Sequence, residues 1–292
     1  MRQSHNRISG TTLPSQNDKA ITVGSGIEIV GDRFTPRTFR AVLFDFDGTL
    51  SLLRRGWQDI MIPMMVNILL ETGTDEQSEE LHELVENFVM QLNGKQTIYQ
   101  MIQLDEEVQA RGGPPREPLD YKNQYHELLW SHVSVRIEAV RSGQVPVEKA
   151  QVPGSVPLLE ALQERGLDLY LASGTDLKYV QDEIRLLELD KFFGQHIHGA
   201  LDDYKNFSKA QVIQRIIQQT DVAGHEILAF GDGYVEIEEV GRVGGVTVGV
   251  ASDEIQRKGI NDWKRERLIR AGANMIIGDY RQLPQLLETL GL

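Results

Sequence analysis

The chain has 292 residues, and 40% of them are hydrophobic, which is enough to bury the core of one large domain or of two ordinary ones. Its 30 Lys and Arg residues against 43 Asp and Glu residues give a formal net charge of −13, so its field repels nucleic acid and anionic membrane surfaces. The absence of cysteine excludes disulfides, thiolate metal sites and thiol catalysis. We therefore expect a small molecule or a protein as the partner, and neither nucleic acid nor membrane.

The amino-terminal segment is polar. Residues 1–19 are rich in Ser, Thr, Asn, Gln and Gly and lack the apolar stretch of a secretory signal, so we expect a disordered tail. No later apolar run is long enough to span a bilayer. Together with the lack of cysteine, these features indicate a cytoplasmic location.

Strand patterns alternate with helical patterns along most of the chain. Residues 21–34 combine alternating apolar residues with glycines and favour a hairpin or an added edge strand. Residues 40–44 form a continuous apolar run that ends in a polar loop, as a buried parallel strand does. Later strands are predicted at residues 167–172, 227–230, 246–250 and 275–277. The alternation predicts an α/β fold with a doubly wound, Rossmann-like parallel sheet.

A block of purely helical periodicity interrupts this pattern after the first core strand. Helical segments are predicted at residues 57–71, 75–92, 97–110 and 119–140. Glycine and proline breaks separate them, and no strand pattern occurs among them. We therefore expect a core domain of residues 20–53 and 153–292, with an inserted all-helical domain at 54–152.

Polar residues follow three of the predicted core strands. Asp45 and Asp47 follow the first, Ser173 follows the strand at 167–172, and Asp232 and Glu236 follow the strand at 227–230. The carboxyl ends of parallel strands meet at one edge of the sheet, where ligands collect. Clustered carboxylates suit a hard octahedral cation such as Mg²⁺, and they need a cation to be electrostatically tolerable.

These residues resemble the four motifs of the haloacid dehalogenase (HAD) superfamily, in order. The first motif is similar to FDFDGTL at 44–50, and the second to LYLASG at 169–174. The third is similar to Lys209 at the start of a predicted helix, and the fourth to FGDG at 230–233 with Glu236. The resemblance extends over about residues 40–290. It implies a helical cap inserted after the first core strand, as in members similar to phosphoglycolate phosphatase and beta-phosphoglucomutase.

The resemblance also implies roles for the residues that carry chemistry. Asp45 is the implied nucleophile, which forms an aspartyl-phosphate, and Asp47 is the implied acid and base. The implied Mg²⁺ ligands are the Asp45 carboxylate, the Asp47 main-chain carbonyl, Asp232, and Glu236 through a water. The implied phosphate-binding groups are Ser173, the Gly174 amide and Lys209, the last aided by the positive end of its helix.

Each of these assignments has an ordinary structural alternative. The Asp-x-Asp-Gly pattern also occurs in calcium loops, although the twelfth loop position counted from Asp45 is Gly56, which has no carboxylate. Ser173 is alternatively a helix cap. Lys209 is alternatively a solvated surface lysine, with Lys205 as its rival. Glu236 stands where the family more often has Asp, and it is alternatively an acidic residue that favours a helix start.

The function implied by the resemblance is Mg²⁺-dependent hydrolysis of a small phosphorylated metabolite. Asp47 favours ester hydrolysis, because the dehalogenases and phosphonate-cleaving members of the superfamily lack a carboxylate there. A phosphosugar mutase with the same motifs is an alternative, and a non-catalytic binding protein with the same fold is a weaker one. The sequence carries no signal that identifies the metabolite or the oligomeric state.

Substrate selection is expected to come from the helical insertion, whose two crossings to the core lie beside the site. The turn at Gly94, Lys95 and Gln96 is expected to face the core and contact the leaving group. Arg54 and Arg55, at the first crossing, are expected to add positive charge for an anionic substrate. The alternative for Lys95 and both arginines is that they are solvated surface groups.

Overall fold

The computed structural model describes residues 20–22, 26–31, 35–201 and 208–292. The predicted tail at 1–19 lies outside the described residues. Within them, the strands are β1 (Ala20–Thr22), β2 (Ile27–Val30), β3 (Ala41–Phe44), β4 (Asp168–Asp176), β5 (Ile197–Ala200), β6 (Ile227–Gly231), β7 (Val246–Val250) and β8 (Met275–Ile277). They form one sheet in the order β1-β2-β8-β7-β6-β3-β4-β5, in which β3 to β8 are parallel.

The central strand of the site, β3, lies between β4 and β6 and is buried along its whole length. Because successive side chains point to opposite faces of a strand, Val42 and Phe44 pack into the core on one face, whereas Ala41 and Leu43 pack into a second core on the other. The Phe44 ring stacks on the Phe230 ring of β6 at 5.0 Å between centroids. The predicted doubly wound α/β fold is therefore confirmed.

An antiparallel hairpin extends the sheet at one edge. β1 pairs with β2 in the register Ala20 to Val30, and β2 pairs antiparallel with β8 in the register Ile29 to Met275. The hairpin predicted for residues 21–34 is confirmed in its described part.

Helices cover the sheet and fill the insertion. They are α1 (Gln58–Leu70), α2 (Ser78–Gln91), α3 (Ile98–Ala110), α4 (Pro118–Arg141), α5 (Ser155–Glu164), α6 (Leu177–Leu186), α7 (Asp190–Phe193), α8 (Lys209–Thr220), α9 (Tyr234–Arg242), α10 (Asp262–Ala271) and α11 (Leu283–Leu290). The first four stand between β3 and β4 with no strand of the sheet among them. In the described part of the chain, no helix has the length and apolar character needed to cross a membrane.

Two features of the sheet differ from the sequence-based expectation. The edge strand β5 was not predicted, because its sequence, IHGA, is short and lacks an apolar run. The strand predicted at 167–172 continues to Asp176, where it pairs with Ala200 of β5 across an irregular register. The backbone of Ser173 is therefore held in the sheet rather than in a loop.

The return from the insertion to the core is fixed by Gly154 and Tyr280. Gly154 has a φ of 85°, and a Cβ there would lie 2.6 Å from the carbonyl carbon of Tyr280. The Tyr280 N–H donates to the Pro153 carbonyl at 2.9 Å, and its hydroxyl donates to the Thr49 carbonyl, also at 2.9 Å. These contacts join the returning chain to the loop that follows β3.

A buried ion pair fixes the other crossing. The Arg54 guanidinium donates to both carboxylate oxygens of Glu183 on α6, at 2.5 to 3.1 Å. The two side chains are only 8% and 2% exposed. Such a pair contributes little net free energy when intact, but removing one partner strands the other charge in the interior.

We expect Gly154→Ala to destabilise the protein more than Gly166→Ala does. Both glycines have a positive φ, but the space around Gly166 is open. Backbone strain costs about 1–3 kcal/mol, and Gly154→Ala adds an overlap with the Tyr280 main chain. Urea unfolding of both variants measures the difference, and equal losses would show that the close approach at Tyr280 is unimportant.

We expect Glu183→Gln to lower the free energy of unfolding by about 3 kcal/mol, because the buried Arg54 guanidinium would lose its hydrogen-bonded counterion. Its matched control is Asp182→Asn, one residue earlier, which removes the exposed pair with Arg185 and costs less than about 1 kcal/mol. Urea unfolding measures both variants, and a loss for Glu183→Gln no larger than for its control would refute this account of the crossing.

Candidate active site

A cavity of about 90 Å³ opens at the carboxyl ends of β3, β4 and β6. From the sheet side it is lined by Asp45, Asp47, Gly48, Ser173, Gly174, Thr175, Lys209, Asp232 and Glu254. From the crossing and the helical insertion it is lined by Arg54, Trp57, Met61, Asn93, Gly94, Lys95, Thr97, Gln100, Tyr125 and Leu129. The cavity therefore lies between the sheet edge and the insertion.

Lys209 joins two of the carboxylates. It is the first residue of α8, and its ammonium lies 2.9 Å from Asp45 Oδ1 and 2.7 Å from Glu236 Oε2. The Lys209 side chain is 3% exposed, so the alternative of a solvated surface lysine is wrong; Lys205 lies outside the described residues. Burial opposes the ammonium charge, but the flanking carboxylates outweigh it and raise the pKa of Lys209. Lys209 therefore stays protonated.

Glu236 caps a helix start, which is one of the two interpretations that its sequence position allowed. Its Oε1 accepts a hydrogen bond from the Gly233 N–H at 2.9 Å, which caps the start of α9, and its Oε2 accepts from Lys209. It also lies with Asp45 and Asp232 in a group whose oxygens approach within 4.8 Å of one another. Glu236 thus stabilises a helix start and lies within the buried carboxylate cluster.

Asp232 is held by a second buried lysine. The Lys264 ammonium lies 2.9 Å from Asp232 Oδ2 and 2.6 Å from Glu254 Oε1. The Asp232 N–H donates to Thr49 Oγ1 at 3.0 Å, which ties this loop to the one that follows β3. Burial opposes the Lys264 charge, but Asp232 and Glu254 outweigh it and raise the pKa of Lys264.

The donor set fits Mg²⁺. Asp45, Asp232 and Glu236 offer hard carboxylate oxygens that lie within 4.8 Å of one another. Including Glu254, four carboxylates are met by the two ammonium groups of Lys209 and Lys264, so two negative charges remain when all are ionised. A divalent cation balances that charge.

Asp47 occupies a different environment from Asp45. Its Oδ2 accepts hydrogen bonds from Thr175 Oγ1 at 2.8 Å and from Ser173 Oγ at 3.4 Å. Its buried Oδ1 has no hydrogen-bond partner among the described residues and lies 3.9 Å from Arg54 Nε. Burial raises the pKa of Asp47 to about 6, although Arg54 opposes the shift. A carboxyl with such a pKa can both donate and accept a proton near neutral pH.

Ser173 and Gly174 form the floor of the cavity between β4 and the insertion. The buried Ser173 Oγ accepts the Thr175 N–H at 3.1 Å, and the residue that caps α6 is Asp176, so the interpretation of Ser173 as a helix cap is wrong. A Cβ on Gly174 would lie 2.7 Å from the Lys95 carbonyl oxygen. The absence of a side chain at Gly174 therefore allows the turn of the insertion to approach the edge of the sheet.

The structure brings three of the five expected substrate-binding residues to the cavity, namely Arg54, Gly94 and Lys95. Arg54 is already paired with Glu183, and the exposed Lys95 places its ammonium 5.9 Å from the ring centroid of Tyr99. The other two do not line the cavity. Gln96 is buried beside it. Arg55 lines a separate hollow of about 140 Å³.

Sequence reasoning missed several residues that line the cavity or pair with its lining. Thr175 directly follows the second motif, so its position in the sequence could have identified it as a site residue. Tyr125 and Leu129 stand four residues apart on one face of α4, but helical periodicity does not reveal which apolar side chains turn toward a cavity. Glu254 and Lys264 had no sequence signal, because tertiary contacts alone bring them to Asp232.

The chain was compared with protein families, curated proteins and solved structures. The model of the haloacid dehalogenase-like hydrolase family matches residues 39–244. The search of curated proteins gave no match. Among solved structures, a HAD hydrolase of family IA, variant 3, from Entamoeba histolytica is 18% identical with a TM-score of 0.56, covering 87% of this chain and 100% of that one.

Two further structures carry more specific names. A predicted phosphoglycolate phosphatase from Haemophilus somnus is 16% identical with a TM-score of 0.54, covering 85% of this chain and 97% of that one. A beta-phosphoglucomutase from Clostridium difficile is 13% identical with a TM-score of 0.54, covering 87% of this chain and 98% of that one. At these identities the likeness shows a shared fold. The family match covers more than half of the sequence, and the chain belongs to the haloacid dehalogenase-like hydrolases.

Proposed function

We propose that this HAD-like hydrolase is a Mg²⁺-dependent phosphatase that cleaves a small phosphorylated metabolite through an aspartyl-phosphate on Asp45. The observation that carries the proposal is the placement of two unlike carboxylates on one loop at the cavity. Asp45 contacts the Lys209 ammonium, whereas Asp47 contacts hydroxyl groups and has a pKa near 6. The first environment suits a nucleophile, and the second suits an acid and base.

Asp45 is the proposed nucleophile. Attack by one of its carboxylate oxygens on phosphorus forms an acyl-phosphate bond and breaks the bond to the leaving oxygen. Lys209, at 2.9 Å from Asp45 Oδ1, supplies positive charge for phosphate oxygens, and Ser173 and the Gly174 N–H are the proposed phosphate donors at the cavity floor.

Asp47 is the proposed proton carrier. In its neutral form it protonates the leaving oxygen, and the carboxylate that results then takes a proton from the water that hydrolyses the acyl-phosphate. Thr175 holds its Oδ2, while Arg54 faces its Oδ1 without forming a hydrogen bond. Among the described residues, Asp47 Oδ1 therefore has no hydrogen bond that a proton transfer would have to break.

The proposed metal ligands are the Asp45 and Asp232 carboxylates and the Asp47 main-chain carbonyl, with Glu236 acting through a water. Mg²⁺ bound there supplies charge compensation for the phosphoryl group and the ionised carboxylates. Because Glu236 already accepts hydrogen bonds at both of its oxygens, a water-mediated role suits it better than a direct one.

The insertion is proposed to enclose the leaving group. Its contribution to the lining mixes apolar side chains, such as Trp57 and Leu129, with polar ones, such as Tyr125 and Gln100. The Arg54 charge is balanced by Glu183, so Lys95 is the insertion residue whose ammonium is more available to an anionic leaving group. We propose residues 54–152 as a cap domain on the core of residues 20–53 and 153–292.

We expect the protein to hydrolyse p-nitrophenyl phosphate in the presence of Mg²⁺ and to lose this activity reversibly in EDTA. Asp45→Asn should reduce turnover to background while the protein stays folded, because the amide keeps the shape but is no nucleophile. The same substitution at exposed Asp182 is the matched control and should leave turnover unchanged.

Release of p-nitrophenolate and a thermal unfolding curve for each variant provide the measurements. Full activity in excess EDTA, or appreciable turnover by Asp45→Asn, would contradict the proposal. Near-zero turnover by the folded, Mg²⁺-loaded wild type would favour a phosphosugar mutase or a binding protein instead.

A further inference from the structure

Lys264 is a buried cation for which the proposed reaction has no role. Its side chain is 7% exposed, and its three N–H donors face three acceptors: Asp232 Oδ2 at 2.9 Å, Glu254 Oε1 at 2.6 Å and Ser252 Oγ at 3.3 Å. A lysine ammonium has three donors and no acceptor. Lys264 is therefore fixed in place, and none of its donors is left to bind a substrate.

The loop that carries Asp45 is shaped to accommodate this cluster. A Cβ on Gly48 would overlap Asp232 Oδ2 and would approach Glu254 Oε1 to 3.1 Å. The Ser252 hydroxyl donates to the Gly48 carbonyl at 2.7 Å. Glycine at this position lets the Asp232 carboxylate pack directly against the loop, and the Lys264 ammonium holds the same Oδ2 from another side.

The Lys264 ammonium forms an ion pair with one of the two carboxylate oxygens of Asp232. Among the described residues, the ion pair of the Asp232 carboxylate is made at Oδ2, so Oδ1 is the oxygen left for a metal. We propose that Lys264 makes Asp232 a one-oxygen ligand and thereby gives the metal site its preference for Mg²⁺ over Ca²⁺. This inference rests on the proposed Mg²⁺-dependent function and assigns the selectivity of that site to a residue outside the family motifs.

Mg²⁺ and Ca²⁺ differ in how they are coordinated by a carboxylate. Mg²⁺ requires a near-ideal octahedron and takes carboxylates through single oxygens, whereas Ca²⁺ accepts six to eight oxygens and often takes both oxygens of one carboxylate. An ammonium on Asp232 Oδ2 blocks the second mode. It also lowers the negative charge of the site for both ions, so its specific effect appears in the ratio of affinities rather than in either affinity alone.

The test is isothermal titration of the full chain, stripped of metal with EDTA, with Mg²⁺ and separately with Ca²⁺. We expect Lys264→Met to lower the ratio of the Ca²⁺ Kd to the Mg²⁺ Kd by about tenfold or more, which corresponds to about 1.4 kcal/mol. The matched control is Lys258→Met, which makes the same substitution at an exposed lysine in the same region and should leave the ratio unchanged.

A charge-balanced double variant, Lys264→Met with Glu254→Gln, covers the case in which the single variant fails to fold. It removes one positive and one negative charge, so the net charge of the site is preserved while Asp232 Oδ2 is freed, and the ratio should again fall. A wild-type ratio in either folded variant would overturn the inference.

The titrations also separate this inference from the proposed function. If the wild type binds Mg²⁺ and hydrolyses p-nitrophenyl phosphate while the variants keep its ratio, only the role of Lys264 fails. If the wild type takes up neither ion, the metal-dependent function fails, and the inference fails with it.

Discussion

The architecture of the site depends on the compensation of buried negative charge at the end of β3. This strand is buried on both faces, so the carboxylates that follow it are drawn out of bulk water and require cations close by. Lys209 meets Asp45 and Glu236, and Lys264 meets Asp232 and Glu254. The two lysines come from different helices, so α8 is tied to the loop that follows β3, and α10 to the loops that follow β6 and β7. The charge that remains uncompensated is what makes the cluster suited to a divalent cation.

The second constraint is the close approach of the insertion to the sheet edge. Gly174 admits the Lys95 carbonyl, and a Cβ on Gly94 would lie 3.5 Å from the Cα of Gly233. Three glycines from separate parts of the chain therefore meet where the turn of the insertion contacts the core. This contact brings the turn of the insertion to the edge of the sheet at which Asp45 and Asp47 line the cavity.

The sequence was sufficient to predict the strands and motif residues that short-range patterns encode. It did not reveal the residues that only tertiary contacts bring to the site. The apolar run at 40–44 and the alternation that follows were enough for the parallel sheet, and Lys209 was singled out by the family motif. The edge strand β5 was missed because IHGA carries no strand pattern. Lys264 was missed because it is a charged residue in the first turn of an amphipathic helix, where a solvated lysine is the ordinary expectation. Similarly, Arg55 was expected beside Arg54, yet it lines a different hollow.

The most direct test of the central claim is detection of the covalent intermediate on Asp45. In Asp47→Asn, a good leaving group such as p-nitrophenolate departs without protonation, but the water that releases phosphate is no longer activated. After acid quench of that variant with p-nitrophenyl phosphate and Mg²⁺, the account predicts one added phosphoryl group on the peptide that contains Asp45, found by mass spectrometry. An unmodified Asp45 peptide in a variant that still releases p-nitrophenolate, or a phosphoryl group on another residue, would contradict it.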